Sequence, residues 1–217
     1  MAQETAILNK QHKLNSMKQK LKIAITIITV FVSALSFAQT GKAVMDHLGV
    51  PGPIVINNNT YNLTWSSHPS AIYYKQEYFV AKDKAEMFKK MVLVEVLMGD
   101  AKPASVAESK IAELKQLKKT NPIVNYEVFQ KNGEVLLDFL VSENPVDGKK
   151  INILERNVYR YKAITDKNGQ KGVMLFGVSE RSYGNNADAF LSSLKKNKSV
   201  LVNAVAAFNL PEISLKK

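Results

Sequence analysis

Between residues 123 and 183, four β-patterned stretches follow one another with only short turns between them, and this restricts the fold more than any other feature. They cover residues 123–130, 134–143, 151–164 and 172–183. The separators are Lys131-Asn132-Gly133, Asn144-Pro145-Val146-Asp147-Gly148 and Asp166-Lys167-Asn168-Gly169, each holding a glycine among turn formers. Links this short cannot return the chain to the far end of a strand. Neighbours must therefore run antiparallel, as a meander.

Upstream, Ile54-Val55-Ile56, a turn at Asn57-Asn58-Asn59 and residues 60–65 read as a hairpin. Ser66-Ser67-His68-Pro69-Ser70 reads as a second turn, and residues 71–80 as another strand. Residues 41–48 have apolar spacing for a short helix stopped by Gly49-Val50-Pro51-Gly52-Pro53. Asp83 and Glu86 have capping-box spacing, which predicts one or two helical turns over residues 84–90. Residues 91–98 are apolar on one face and mostly apolar on the other, as in a strand covered on both sides.

Two longer helices are expected. The first follows Pro103, with Ser105 and Glu108 as a capping box, Ala107, Ile111, Leu114 and Leu117 as its apolar stripe, and Asn121-Pro122 as its stop. The second covers residues 187–208, with Ala187, Phe190, Leu191, Leu194, Leu201, Val205 and Phe208 on one face and Asn185 or Asn186 as cap. The fold class expected is α+β: a single, mostly antiparallel sheet of about six to seven strands sandwiched by helices.

This element order, with its long closing helix, resembles the PsbP-like fold, an αβα sandwich found in oxygen-evolving accessory subunits of photosynthetic membranes and in DcrB-type envelope proteins. The resemblance covers residues 59–208. It implies an exported or envelope-associated accessory protein that binds other macromolecules, and it carries no individual functional residue across.

The start of the chain reads as a leader. Lys18, Lys20 and Lys22 precede an uncharged run over residues 23–37 and then Ser36-Phe37-Ala38, the three-part layout of a secretory signal peptide. Residues 17–38 are the expected signal peptide, cleaved between Ala38 and Gln39, and residues 1–16 read as an over-called start with Met17 as the initiator. The uncharged run is shorter than the roughly 20 residues of a spanning helix. Residues 39–217 then form one α+β domain, periplasmic or secreted, with no transmembrane segment after cleavage. The chain has no cysteine, which excludes disulfides, thiolate metal sites and a lipidated cysteine anchor. Of the formal charge of +11, five lysines and Glu4 in the leader carry +4, leaving +7 on the mature domain. That balance suits anionic surfaces such as lipid headgroups or polyanionic glycans, and equally a lysine-rich solvated exterior. Nucleic acid is not an expected partner.

No motif announces catalysis. Trp65-Ser66-Ser67-His68-Pro69 places hydroxyls beside an imidazole, yet no G-x-S-x-G accompanies it, and turn chemistry accounts for it. Only His47 and His68 lie beyond residue 38, and neither a paired-ligand motif nor a calcium loop is present, so no metal or cofactor is expected. Charges inside strands are more suggestive: Lys75, Glu77, Glu95, Asp138, Glu155, Arg156, Arg160, Glu180 and Arg181. Period-two geometry puts Arg156 and Arg160 on one face and Tyr159 and Tyr161 on the other. Such arginines either form cross-strand ion pairs with Glu95, Asp138 or Glu180 or grip an anionic ligand. The second reading expects Arg160→Leu to abolish anion binding. Trp65, Tyr73, Tyr74 and Tyr78 make an aromatic hairpin that suits a core or an interface.

The binding candidates are Trp65, His68, Tyr74, Arg156, Arg160 and Arg181, with no catalytic or metal residues. The function expected is a non-enzymatic accessory or binding protein of the cell envelope, its partner an envelope protein or an anionic ligand. The alternatives are a hydrolase centred on His68, which needs a carboxylate beside that ring in a cleft, and a carrier of a small amphiphile, which needs an apolar cavity beneath the last helix.

Overall fold

The computed structural model describes residues 44–143 and 151–216. The leader, the Ala38–Gln39 cleavage position and the turn expected over residues 144–148 lie outside the described residues. Along the chain the strands are β1 (Ile54–Ile56), β2 (Asn59–Ser70), β3 (Tyr73–Val80), β4 (Lys90–Met98), β5 (Asn125–Lys131), β6 (Glu134–Glu143), β7 (Ile153–Thr165) and β8 (Lys171–Tyr183). Helix α1 (Pro103–Thr120) joins β4 to β5, and α2 (Ala187–Ala207) follows β8 after a 3-10 turn.

All eight strands pair antiparallel in one sheet, ordered β1-β2-β3-β4-β8-β7-β6-β5. The order follows from the links. Turns at Asn57-Asn58 and Asn132-Gly133, all at positive φ, close their hairpins. The 18 residues of α1 span about 27 Å at 1.5 Å each. That length carries the chain past the places of β8, β7 and β6, about 4.8 Å apiece, to the far edge. The later meander then fills the gap backwards until β8 meets β4.

The expectation of six to seven strands sandwiched by helices is overturned, because among the described residues the sheet has eight strands curled into a half-barrel and there are only two helices. One cause is β2. It continues through Ser66–Ser70 as a strand with register shifts between Leu63 and Trp65 and between Ser67 and Ser70, where a turn was expected. A second is that Val44–Leu48 forms no helix but irregular chain that bends at His47 and Leu48. A third is that residues 84–89 form turns in which Asp83 Oδ2 accepts the Lys89 and Lys90 N–H groups at 2.7 and 3.3 Å instead of capping a helix.

Each face of the sheet has its own apolar core. On one, Ala107, Ile111 and Leu114 of α1 pack against Leu137, Tyr159 and Leu175. Leu117, expected in that stripe, is 40% exposed. Pro103 takes the first position of α1, so Ser105 sits inside the helix and makes no cap. On this face the Tyr159 ring lies across Gly177, where an added Cβ would meet it at 2.7 Å. On the other face Leu201 and Val205 of α2 pack against Met174, Phe176 and Val178, and Phe208 stacks on Phe176 with centroids 4.5 Å apart. Asn186 occupies the N-cap of α2 without a side-chain bond, and Asn197 kinks the helix at φ −121° and ψ 18°. Over β2 and β3 this second core is completed by irregular chain, Leu48 and Val50 at one end and Ile213 at the other.

Candidate functional site

Two of the in-strand arginines, Arg156 and Arg160, fall on the α2 face, where protein groups occupy their forks. Arg156 Nε and Nη2 donate to the two Asp138 carboxylate oxygens at 3.0 Å each, and Nη2 also donates to the Lys198 carbonyl at 2.6 Å. Asp138 and Arg156 are both buried, so this is a desolvated bidentate pair. Arg160 donates to Glu134 at 2.7 Å and to the carbonyls of Phe208 and Val205 at 2.9 and 3.3 Å. Those carbonyls belong to the end of α2, whose last turn lacks helical donors. Burial would raise the Glu134 carboxyl, but hydrogen bonds from Arg160 and Lys162 hold it below its usual value. Both arginines thus clamp α2 to the sheet, one beside its kink and one at its end. Register places their carboxylates diagonally on β6, since Arg156 stands opposite Leu140 and Arg160 opposite Leu136.

Trp65 and Arg181 face the opposite side. Lys75 Nζ lies 5.7 Å from the Trp65 ring and 2.9 Å from Glu77, with Glu95 at 3.9 Å. Burial works against the Lys75 ammonium, and Glu77 and Glu95 more than offset it. Arg181 pairs with Glu155 and stacks over Phe88, its Cζ 3.9 Å from the ring centroid. These groups form a row of compensated charge along the sheet.

His68 and Tyr74 meet where the amino-terminal segment crosses β3. The His68 ring is 4.0 Å from Tyr74 and 5.7 Å from His47, which it meets edge-on. Among the described residues no carboxylate is hydrogen-bonded to His68, and none of the groups of three or more His, Asp or Glu is placed to hold a metal ion. The six candidates therefore do not converge. His68 and Tyr74 sit at one end of the α2 face, Arg156 and Arg160 beneath the helix, and Trp65 and Arg181 behind the sheet.

Burial and the adjacent His68 push the His47 imidazole below its ordinary 6.5, with Asp46 pulling the other way. The folded state therefore binds this proton less readily than the unfolded one. Its contribution to stability is complete above pH 6.5 and falls away as the pH drops from there through the lower folded value. Nuclear magnetic resonance titration of the two rings is expected to give a His47 value below 6.5 that rises in His68→Ala. An unchanged value in that variant would remove His68 as a cause.

One constellation escaped the sequence reading. Lys115, Lys118 and Lys119, on the last turns of α1, line a groove of about 400 Å3 against Tyr126 of β5. Lys118 donates to Asn125 Oδ1 at 2.9 Å and Lys119 to Gln116 Oε1 at 2.8 Å, both neutral acceptors. Lys115 reaches Glu108 at 3.4 Å, with both side chains more than half exposed. Positive charge is thus left largely uncompensated in a shallow, open depression, which favours an anion. The signal was available: three lysines in five residues, ended by Asn121-Pro122 and followed at once by a strand.

A family model matches residues 48–210, three-quarters of the chain, covering every strand of the described sheet and both helices. The chain belongs to that family. No curated protein and no solved structure matches it. Among the described residues no helix is long and apolar enough to cross a membrane.

Proposed function

We propose that this chain is an exported, non-enzymatic binding protein of the cell envelope that holds an anionic partner in the groove between α1 and β5. The observation that carries the reading is the charge imbalance of that groove, where three lysines face Tyr126 with one exposed glutamate among their partners. The layout of residues 17–38 supports export. The arginines suit the role less well, because Arg156 and Arg160 are committed to Asp138, Glu134 and the carbonyls of α2.

Phosphate or sulfate groups presented on a surface match lysine point charges better than one planar carboxylate does. The expected result is binding to phosphatidylglycerol vesicles that weakens with added salt and is absent with phosphatidylcholine. At about 1 kcal/mol per lysine near an anionic surface, the combined Lys115→Gln, Lys118→Gln and Lys119→Gln variant loses roughly a hundredfold in affinity. Equal binding by that variant in a sedimentation assay would refute the groove as the site.

A further inference from the structure

We infer that the free edge of β5 pairs with the β5 of a second copy of this chain, making a two-fold homodimer with one continuous sheet. Among the described residues β5 is the last strand of the sheet and pairs only with β6. Its edge is seven residues long, against three for β1 at the other end. Sheet edges invite pairing in proportion to their length and apolar exposure. Val128 is 37% exposed and Phe129 46%, both on this one short strand.

The side-chain pattern of β5 is self-complementary in one register. Glu127, Phe129 and Lys131 alternate onto one face, with Tyr126, Val128 and Gln130 on the other. An antiparallel two-fold axis through Phe129 sets Phe129 against the partner's Phe129, Glu127 against the partner's Lys131, and Lys131 against the partner's Glu127. Two cross-strand ion pairs then flank an aromatic pair, each a favourable neighbour. Moving the axis by one residue to Val128 sets Glu127 against the partner's Phe129 and loses both ion pairs. Parallel in-register pairing sets glutamate on glutamate and lysine on lysine. The sequence therefore selects a single arrangement among the close alternatives.

Among the described residues nothing already in place blocks it. Glu127 uses Oε1 on Lys198 in its own chain, and both side chains are about half exposed, so the second carboxylate oxygen stays available. The two lysine grooves do not oppose the dimer either. Tyr126 is three residues from the axis, so the two grooves sit about 20 Å apart at 3.4 Å per residue. That exceeds the Debye length of about 8 Å at physiological salt.

The test is sedimentation velocity on the full chain, with circular dichroism as the check on folding. Wild type is expected to dimerise, and Glu127→Lys and Lys131→Glu are each expected to weaken the dimer about tenfold or more by placing like charges opposite one another. Mixing the two single variants is expected to restore a dimer, because every lysine at 127 or 131 in one copy then faces a glutamate in the other. The Glu127→Lys/Lys131→Glu double variant is expected to regain it as well. A monomeric wild type, single variants that dimerise as well as wild type, or a mixture that stays monomeric would each overturn the proposal.

Discussion

Arg156→Met is expected to lower the stability of the folded protein by about 3–5 kcal/mol, measured as the free energy from urea unfolding. The substitution leaves the Asp138 carboxylate, 5% exposed, with no cation beside it and strips a donor from the Lys198 carbonyl. A buried charge without its partner is among the costliest defects a core can hold. The companion result separates charge from packing. Arg156→Met combined with Asp138→Leu is expected to recover most of the loss, since apolar groups of similar size replace a buried pair at little cost. A single variant within 1 kcal/mol of wild type would show that solvent reaches the pair and that α2 does not depend on it.

Gln76→Leu is expected to cost about 3 kcal/mol or more and to loosen one end of the molecule before the rest. Gln76 is fully buried. Its Oε1 accepts the N–H groups of His47 at 2.7 Å and Leu48 at 3.0 Å, while its Nε2 donates to the Val50 carbonyl at 3.2 Å and the Tyr78 hydroxyl at 2.6 Å. Tyr78 donates in turn to Val50 at 2.6 Å, so one amide and one phenol hold the whole segment against β3. Leucine matches the volume but satisfies none of these groups, and each buried orphan costs about 1–3 kcal/mol. Hydrogen exchange is the decisive reading. The Leu48, Val50 and Ser214 amides are expected to exchange faster, with those in β7 and β8 retaining global protection. Uniform acceleration throughout would mean that the segment has no independent opening.

How much of this was legible in the sequence depends on whether a cause was local. The meander from β5 to β8 was, because turn glycines and period-two patterning act within a few residues. The extent of β2 was not, since Pro69 argues against a strand. Proline is tolerated there because β1 reaches only as far as Tyr61, leaving the later part of β2 paired on one side alone. Asp83 misled for a similar reason, its carboxylate finding the amides at 89 and 90 in place of a helix start. The sharing of a face by Arg156 and Arg160 followed from their spacing. That their forks close on carbonyls of α2, more than 40 residues away, depends on how that helix docks, which no local pattern encodes. The lysine groove was overlooked because its members looked like the solvated side of α1 until β5 was placed beside them.

The closing tail returns to the segment held by Gln76, with Ser214 N–H bonded to the Leu48 carbonyl and Lys216 N–H to that of His47. As the number falls on one side it rises on the other, so the two strands of this pair run antiparallel and the first and last described residues lie on the same side of it. Tension applied between them would meet these two bonds one after the other, as in opening a zip, rather than loading them together in shear. The domain is therefore built to yield softly at its ends, parting tail from segment at low force while the sheet behind them stays whole.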